Sequence, residues 1–162
     1  MKKTSNYIIG ILRILIGLIF LWAFFDKLIG LGFATPYDKG WIEGNSPTYG
    51  FLKNATKGPF ATIFQAIAGN IIVDILFMVG LLLIGLALII GIMINIASIS
   101  GSLMMFLMWL VVLPPKNHPF IDEHIIYIFI FILFIYFESG KYLGFGEWWN
   151  KKEMIKNHQI LK

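Results

Sequence analysis

The sequence predicts an all-α integral membrane protein, a bundle of four transmembrane helices. Of its 162 residues, 58% are hydrophobic and 14% are charged, whereas soluble domains average about 45–50% and about 25%. Four apolar segments come close to the roughly 20 residues that one membrane crossing requires. More than half of the lysines lie outside these segments, near the two ends of the chain. A chain of this composition is expected to present its surface to lipid rather than to water.

The four predicted helices cover residues 7–33, 70–91, 95–113 and 121–138. The second and third form one apolar run of about 40 residues, too long for a single crossing, so we expect a tight turn near residues 91–95. The third helix ends at Pro114-Pro115 because proline has no N–H to donate. The fourth begins with Asp122 and Glu123, since the positive end of a helix dipole favours acidic residues.

The segment between the first two helices, residues 34–69, is predicted to be re-entrant or interfacial and to contain two short helices. Ser46-Pro47 is typical of a helix start, with serine as the N-cap and proline in the first turn. The later stretch "GPFATIFQAIAG" repeats its apolar residues at helical spacing and so gives one apolar face. The alternative is a long flexible loop.

Lysine placement predicts the orientation in the membrane. Lysines flank the start of the first helix and follow the fourth, whereas the turn between helices two and three has no charge. Because basic residues favour the cytoplasmic side, both termini are expected in the cytoplasm and residues 34–69 outside the cell membrane. Residues 1–150 would form one transmembrane domain, and residues 151–162 a basic cytoplasmic tail. These lysines are Lys2, Lys3, Lys141, Lys151, Lys152, Lys156 and Lys162.

The composition also excludes several kinds of site. The chain has no cysteine, which excludes iron–sulfur clusters, disulfide relays and thiolate nucleophiles. His118 and His124 lie at the same predicted membrane surface and His158 lies in the tail, so a haem could not take ligands from opposite sides. The sequence shows no zinc spacing and no flavin or dinucleotide fingerprint. The net charge of +4 is explained by topology and gives no reason to expect a nucleic acid partner.

One buried ion pair is predicted near the cytoplasmic surface. Arg13 interrupts the first apolar segment, and Glu138 ends the fourth at the same predicted level. An unpaired charge within the bilayer costs at least about 2.5 kcal/mol, so we expect Arg13 and Glu138 to form a structural ion pair. The alternative is that the arginine side chain extends along its own helix to the surface.

Acidic, basic and aromatic residues gather at the predicted outer end. Asp74 opens a long uncharged run, and acids inside a membrane tend to face the bundle interior or a cavity. We therefore take Asp74, Asp26 and His124 as candidate catalytic groups that exchange protons. The candidate substrate-binding residues around them are Lys27, Trp41, Asn70, Asp122 and Tyr127, with Tyr49 nearby. Two interpretations stay open: a polar cap that fixes the helix ends at the interface, and a shallow pocket covered by residues 34–69.

A membrane quinone is the one cofactor that these residue types suit. Its head group needs an apolar slot, aromatic neighbours and one or two groups that exchange protons during reduction. The acids and the histidine at the outer end meet that requirement by residue type alone.

Four segments resemble the DoxX family of small four-helix membrane proteins, and within it the DoxD-like subunits of thiosulfate:quinone oxidoreductases. They are "GNSPTYGFLKNATKGPFATIFQAIAGN", "VDILFMVGLLLIGLALIIG", "LPPKNHPFIDEHIIYIFI" and "YLGFGEWW". The resemblance extends from the first helix to Trp149. It implies a separate partner oxidoreductase subunit and transfer of electrons from a small sulfur compound, such as thiosulfate, to membrane quinone. It assigns no catalytic residue.

Three functions follow from these observations. The first is a subunit of a quinone-linked oxidoreductase. The second is a non-catalytic membrane anchor or assembly module for redox or envelope proteins. The third is a small-solute carrier, which at this size would have to work as a homo-oligomer to form a path.

Overall fold

The structure, a computed structural model, describes residues 2–156 and 158–161. Over these residues the chain is helical and forms no β-strand, which confirms the predicted all-α class. The α-helices are α1 (Lys2–Ile29), α2 (Tyr49–Asn54), α3 (Ala61–Ala66), α4 (Ile71–Ile90), α5 (Ile94–Val112), α6 (Glu123–Tyr136), α7 (Gly146–Asn150) and α8 (Glu153–Lys156). Short 3-10 helices cover Trp41–Glu43, Ser139–Lys141 and Gln159–Leu161.

Three of these helices are long and apolar enough to cross a membrane. The candidate spans are Thr4–Ile29, Ile71–Ile90 and Ile94–Val112, with 26, 20 and 19 residues. At 1.5 Å per residue the shortest extends about 28 Å, close to the ~30 Å of a bilayer core. The fourth helix, α6, has 14 residues and extends only about 21 Å. It is shorter than predicted because Asp122 caps its start and Glu138, at φ 46°, lies outside helical backbone.

The ends of the long helices follow from local chemistry. The helix α4 starts after Asn70, whose side chain accepts the N–H of Ile72 at 2.9 Å, and stops at Gly91, which has φ 82°. Only glycine adopts this left-handed conformation without steric cost. The helix α1 ends at Ile29, four residues before the predicted boundary, because Gly30 turns the chain at φ 66°.

The segment 34–69 contains the two predicted short helices, α2 and α3. The first begins at Tyr49, and its N-cap position is Thr48 rather than Ser46. The Ser46 hydroxyl instead accepts the N–H of Tyr49 at 3.0 Å, so it stabilises the turn that leads into the helix.

Consecutive long helices run antiparallel and pack side by side, α1 on α4, α4 on α5 and α5 on α6. The rings of Phe20 on α1 and Phe131 on α6 meet edge to face at 5.7 Å between centroids, which joins the first and last helices through the core. Between α1 and α4 the backbones approach closely, since a Cβ added at Gly85 would lie 3.0 Å from the main-chain nitrogen of Leu21. The buried core comprises Ile16, Phe20, Met78, Leu81, Ile84, Leu88, Ile94, Ala97, Met105, Phe131 and Phe134.

The outward faces of the helices are also apolar. Leu15, Trp22, Leu76, Leu83 and Phe129 are each half exposed or more. This pattern is that of a protein in contact with the lipid bilayer, because water would penalise so much exposed apolar surface.

The helical bundle has two distinct ends. We call the end formed by residues 30–70 and 113–122 the long-loop end, and the end formed by residues 91–93 and 137–161 the basic end. The predicted tail folds back onto the basic end, where Asn95 donates to the carbonyl of Gln159 at 2.7 Å and Ile155 is 1% exposed. Part of the lysine pattern lies outside the described residues, namely Lys162 and the side chains of Lys2, Lys3 and Lys156.

Candidate functional site

Asp26 lies near the end of α1 and is 1% exposed. Its two carboxylate oxygens accept the main-chain N–H groups of Phe33, at 3.2 Å, and Thr35, at 2.8 Å. The aspartate therefore holds the turn that leads the chain out of α1. No sequence pattern indicated these partners, because every residue except proline has a main-chain N–H.

Asp74 lies in the first turn of α4 and is 2% exposed. Its Oδ1 accepts three hydrogen bonds: from the Ser46 hydroxyl at 2.8 Å, the Thr48 hydroxyl at 2.5 Å and the Thr48 N–H at 3.3 Å. This carboxylate thus attaches the segment 34–69 to the bundle. Asn70, one turn earlier, caps α4, and its main-chain carbonyl accepts the N–H of Asp74 at 3.1 Å.

Asp122 and His124 form a third polar cluster at the start of α6. Their side chains are 8% and 9% exposed, and the His124 Nδ1 lies 2.6 Å from the Asp122 Oδ2. The other carboxylate oxygen, Oδ1, accepts the main-chain N–H of His124 at 3.1 Å. Asp122 thus combines an N-cap with a close contact to an imidazole.

These clusters are separate. Across the described part of the chain, no hydrogen bond or ion pair connects Asp26, Asp74 and His124 to one another. Two predicted binding residues, Trp41 and Tyr127, pack against the apolar core. Asp26, Asp74 and Asp122 each stabilise a different loop or helix start.

A cleft does open at this end, on the side of α1 and the segment 34–69. It has a volume of about 810 Å³, and its lining includes Lys27, Lys39, Asn45, Ser46 and Tyr49. Of the predicted site residues, Lys27 and Tyr49 line it. None of its described lining residues is acidic. The charged side chains that line the cleft are those of Lys27 and Lys39.

Lys27 is the half-buried cation of this cleft. Within residues 2–156 and 158–161 its ammonium makes no hydrogen bond or salt bridge, although Asp26 precedes it in the chain. Asp26 uses its oxygens on main-chain N–H groups. Sequence reasoning selected Lys27 but missed Lys39, which sits in a loop without periodic pattern.

At the basic end, Arg13 is fully buried, with 0% exposure. Its guanidinium donates to main-chain carbonyls at the end of α4, those of Leu88 and of Ile89 at 3.2 Å. It also donates to the carbonyls of Tyr142 at 2.9 Å and Leu143 at 3.0 Å. Arg13 therefore joins α1, α4 and the segment that follows α6.

The predicted ion pair between Arg13 and Glu138 does not form. Glu138 instead pairs with Lys141, and its side chain is 55% exposed. The expectation was wrong because it considered only acidic side chains as partners. In a membrane protein the last carbonyls of a helix are equally good acceptors for a buried guanidinium.

The described residues contain no group of three or more His, Asp or Glu side chains that could hold a metal ion. The chemically active side chains of the long-loop end include two ammonium groups that line a cleft and an aspartate–histidine pair at the start of α6. Comparison of this chain with protein-family models, with curated proteins and with solved structures finds no match.

Proposed function

We propose that this protein crosses the cytoplasmic membrane four times, with the basic end in the cytoplasm and the long-loop end outside. The lysines of residues 141–152 and the uncharged α4–α5 turn support this orientation. The exposed apolar residues Phe120, Ile121 and Phe137 extend the apolar length of α6 at both ends. With them the fourth segment approaches the thickness of the bilayer core.

We further propose that the protein is the membrane subunit of a quinone-linked oxidoreductase, and that its outer cleft receives a small anion such as thiosulfate. The observation that carries this proposal is the half-buried Lys27, which lines a cleft with Lys39 and no carboxylate. The carboxylate of Asp26 acts on the Lys27 ammonium electrostatically, but its oxygens accept main-chain N–H groups. A partly dehydrated cation without a salt bridge among the described residues favours an anionic ligand. The sequence resemblance supplies the class of reaction.

The division of roles follows from the residues present. A quinone accepts two electrons and two protons when it is reduced. This chain has no cysteine, so a partner subunit would bring any thiol-based or iron–sulfur centre that handles the sulfur compound. Lys27 and Lys39 would bind and orient the anion, and the Asp122–His124 pair would hold a proton between Oδ2 and Nδ1.

Replacement of single lysines tests the anion site. Titration of thiosulfate into the full-length protein in lipid nanodiscs should give at least about tenfold weaker binding for Lys27→Gln, equivalent to about 1.4 kcal/mol. Lys39→Gln should have a smaller effect because Lys39 is exposed. The matched control is Lys53→Gln, an exposed lysine on α2 that does not line the cleft. Unchanged binding in Lys27→Gln would refute the anion site.

One observation favours the second function, an assembly module. The two buried acids, Asp26 and Asp74, and the partly buried Asp122 already have structural partners. An assembly module predicts that thiosulfate-dependent quinone reduction in native membranes survives Asp122→Asn and Lys27→Gln. If the protein is a redox subunit, quinone reduction should fall in both variants, while the amount of folded protein stays the same.

A further inference from the structure

The imidazole of His124 is held in one orientation at the start of α6. Its Nδ1 lies 2.6 Å from the Asp122 Oδ2, and the Asp122 Oδ1 accepts the main-chain N–H of His124 at 3.1 Å. The two side chains are only 9% and 8% exposed. Because an ionised carboxylate accepts hydrogen bonds and donates none, Nδ1 carries the proton of the neutral imidazole.

The other ring nitrogen of His124, Nε2, is available to a ligand. It makes no hydrogen bond with any described residue, and it does not belong to the side-chain atoms that are buried without a partner. Nε2 therefore reaches the surface of the protein, although most of the ring is buried. With the Asp122 carboxylate to stabilise an imidazolium, Nε2 is able to take up a proton and to give it away.

The surface next to this pair is apolar and aromatic. In the last turns of α5 the rings of Phe106 and Trp109 stack at 5.8 Å between centroids, and the Trp109 indole donates to the carbonyl of Phe120 at 2.7 Å. Phe120 and Ile121, which lead into Asp122, are 67% and 53% exposed. Since α5 is a candidate membrane span, a molecule dissolved in the bilayer can reach this surface from the lipid. None of the described residues that line the anion cleft belongs to α5 or α6.

We propose that a membrane quinone binds here, with one oxygen at the His124 Nε2 and its ring beside Phe106 and Phe120. This inference rests on the proposed function and adds to it the place where the quinone binds. A protonated His124 donates its Nε2–H to a quinone carbonyl, and a neutral His124 accepts the O–H of the quinol. Both redox forms thus have a partner, and Asp122 is the positioning residue that makes this exchange possible.

Reduction of the quinone to the quinol takes two electrons and two protons. Oxidation of the sulfur anion supplies the electrons through the partner subunit. The His124 Nε2 gives one proton to the quinone oxygen that it binds and regains one from water. The other quinone oxygen takes its proton from water.

The test measures binding of a benzoquinone with a decyl tail, and of its quinol, to the full-length protein in lipid nanodiscs. His124→Asn keeps a side-chain N–H near the position of Nδ1 and removes Nε2, so both forms should bind at least about tenfold more weakly. The matched control is His118→Asn, the same substitution at an exposed histidine of the same end. Its amide oxygen can replace Nδ1 as acceptor for the N–H groups of Phe120 and Ile121, so binding should stay the same.

Asp122→Asn tests the positioning role. The amide oxygen replaces Oδ1 as the cap and the NH₂ group then faces Nδ1, so the proton of the neutral imidazole should move to Nε2. Nitrogen-15 NMR of the histidines reports this change of tautomer. The variant should still bind the quinone but bind the quinol at least about tenfold more weakly, because Nε2 no longer accepts. A role in capping alone would change neither the tautomer nor the ratio of the two affinities.

The outcomes separate this site from the proposed function. If His124→Asn does not fold, Phe106→Leu, at a position that is 43% exposed, replaces it and should also weaken binding. Undiminished binding in the folded variant overturns the site but not the proposed function, since the quinone then binds elsewhere on the protein. If the wild-type protein binds neither the quinone nor the quinol, both are overturned.

Discussion

At the long-loop end the buried charges are carboxylates that accept hydrogen bonds, whereas at the basic end the buried charge is a guanidinium that donates them. The helix α4 shows both cases. Asn70 and Asp74 lie at its N-terminus, and Arg13 binds the carbonyls of its last turn. Helices leave N–H groups free at the start and C=O groups free at the end. Asn70 accepts an N–H of the first turn of α4, and Arg13 binds carbonyls of the last. Asp74 instead binds the segment 34–69.

These hydrogen bonds explain how charged side chains can lie in the interior of the helical bundle. A main-chain group without a partner costs more in lipid than in water, because no solvent can replace the missing bond. Asp26, Asp74 and Arg13 satisfy main-chain or hydroxyl groups of segments that must leave or enter the bundle. Their first role is therefore structural, whereas Lys27 makes no hydrogen bond or salt bridge with the described residues and interacts with Asp26 only electrostatically.

The largest effect is expected from Arg13→Met. The variant loses the donors to four carbonyls, and each buried group left unsatisfied costs about 1–3 kcal/mol. We expect the free energy of unfolding to fall by at least about 3 kcal/mol, with a low yield of folded protein. Arg13→Lys should lose less, since an ammonium keeps three donors. Denaturation in mild detergent with increasing SDS measures both.

The matched control for Arg13 is Lys27→Met, which also removes a cation from α1. Lys27 makes no hydrogen bond or salt bridge with the described residues, so its loss should change the free energy of unfolding far less. If the free energy of unfolding falls equally in Arg13→Met and Lys27→Met, Arg13 does not stabilise the fold through the carbonyls.

The next effect is expected from Asp74→Ala. Three hydrogen bonds to Ser46 and Thr48 disappear, and we expect a loss of about 2 kcal/mol. Hydrogen exchange should accelerate in residues 46–55, which lose their attachment to α4. Asp74→Asn should be milder because an amide oxygen also accepts. The control is Glu123→Ala, which removes an exposed carboxylate at the same end and should leave hydrogen exchange in residues 46–55 unchanged. If exchange also accelerates in this control, the loss of a negative charge, and not the lost attachment to α4, explains the effect.

The boundaries of α4 and α5 could be predicted to within one residue because their stop and start signals lie in the sequence itself. Asn70 caps the first turn, Gly91 takes a left-handed conformation, and Pro114 prevents continuation of α5. The end of α1 was predicted too late because Leu31 and Phe33 are apolar. The sequence does not reveal that Gly30 turns the chain before them.

The site was harder to predict because its contacts join segments far apart in the chain. Ser46 and Asp74 are separated by 28 residues, and no periodicity relates a loop to the helix that it contacts. For Arg13, the partners are main-chain carbonyls, which every residue carries. Residue types therefore showed which charges were buried but not what they bound.

A smaller effect is expected at Asp122. Asp122→Ala removes the cap of α6 and the contact with His124, and a lost cap costs about 1 kcal/mol. Asp122→Asn should keep the cap and lose only the charge beside the imidazole. Equilibrium unfolding of the two variants, compared with the wild type, separates the two contributions. If Asn is as destabilising as Ala, the imidazole contact and not the cap is the important one.

The smallest effect is expected from Glu138→Gln, measured in phosphatidylcholine vesicles. Glu138 is the acid that was predicted to neutralise Arg13, yet its side chain is 55% exposed and pairs with Lys141. Exposed ion pairs contribute about 0–1 kcal/mol, so the free energy of unfolding should change by less than about 0.5 kcal/mol. A loss comparable to that of Arg13→Met would mean that the guanidinium does depend on this carboxylate. A free energy of unfolding close to that of the wild type would show instead that main-chain carbonyls suffice to keep a buried arginine in the membrane.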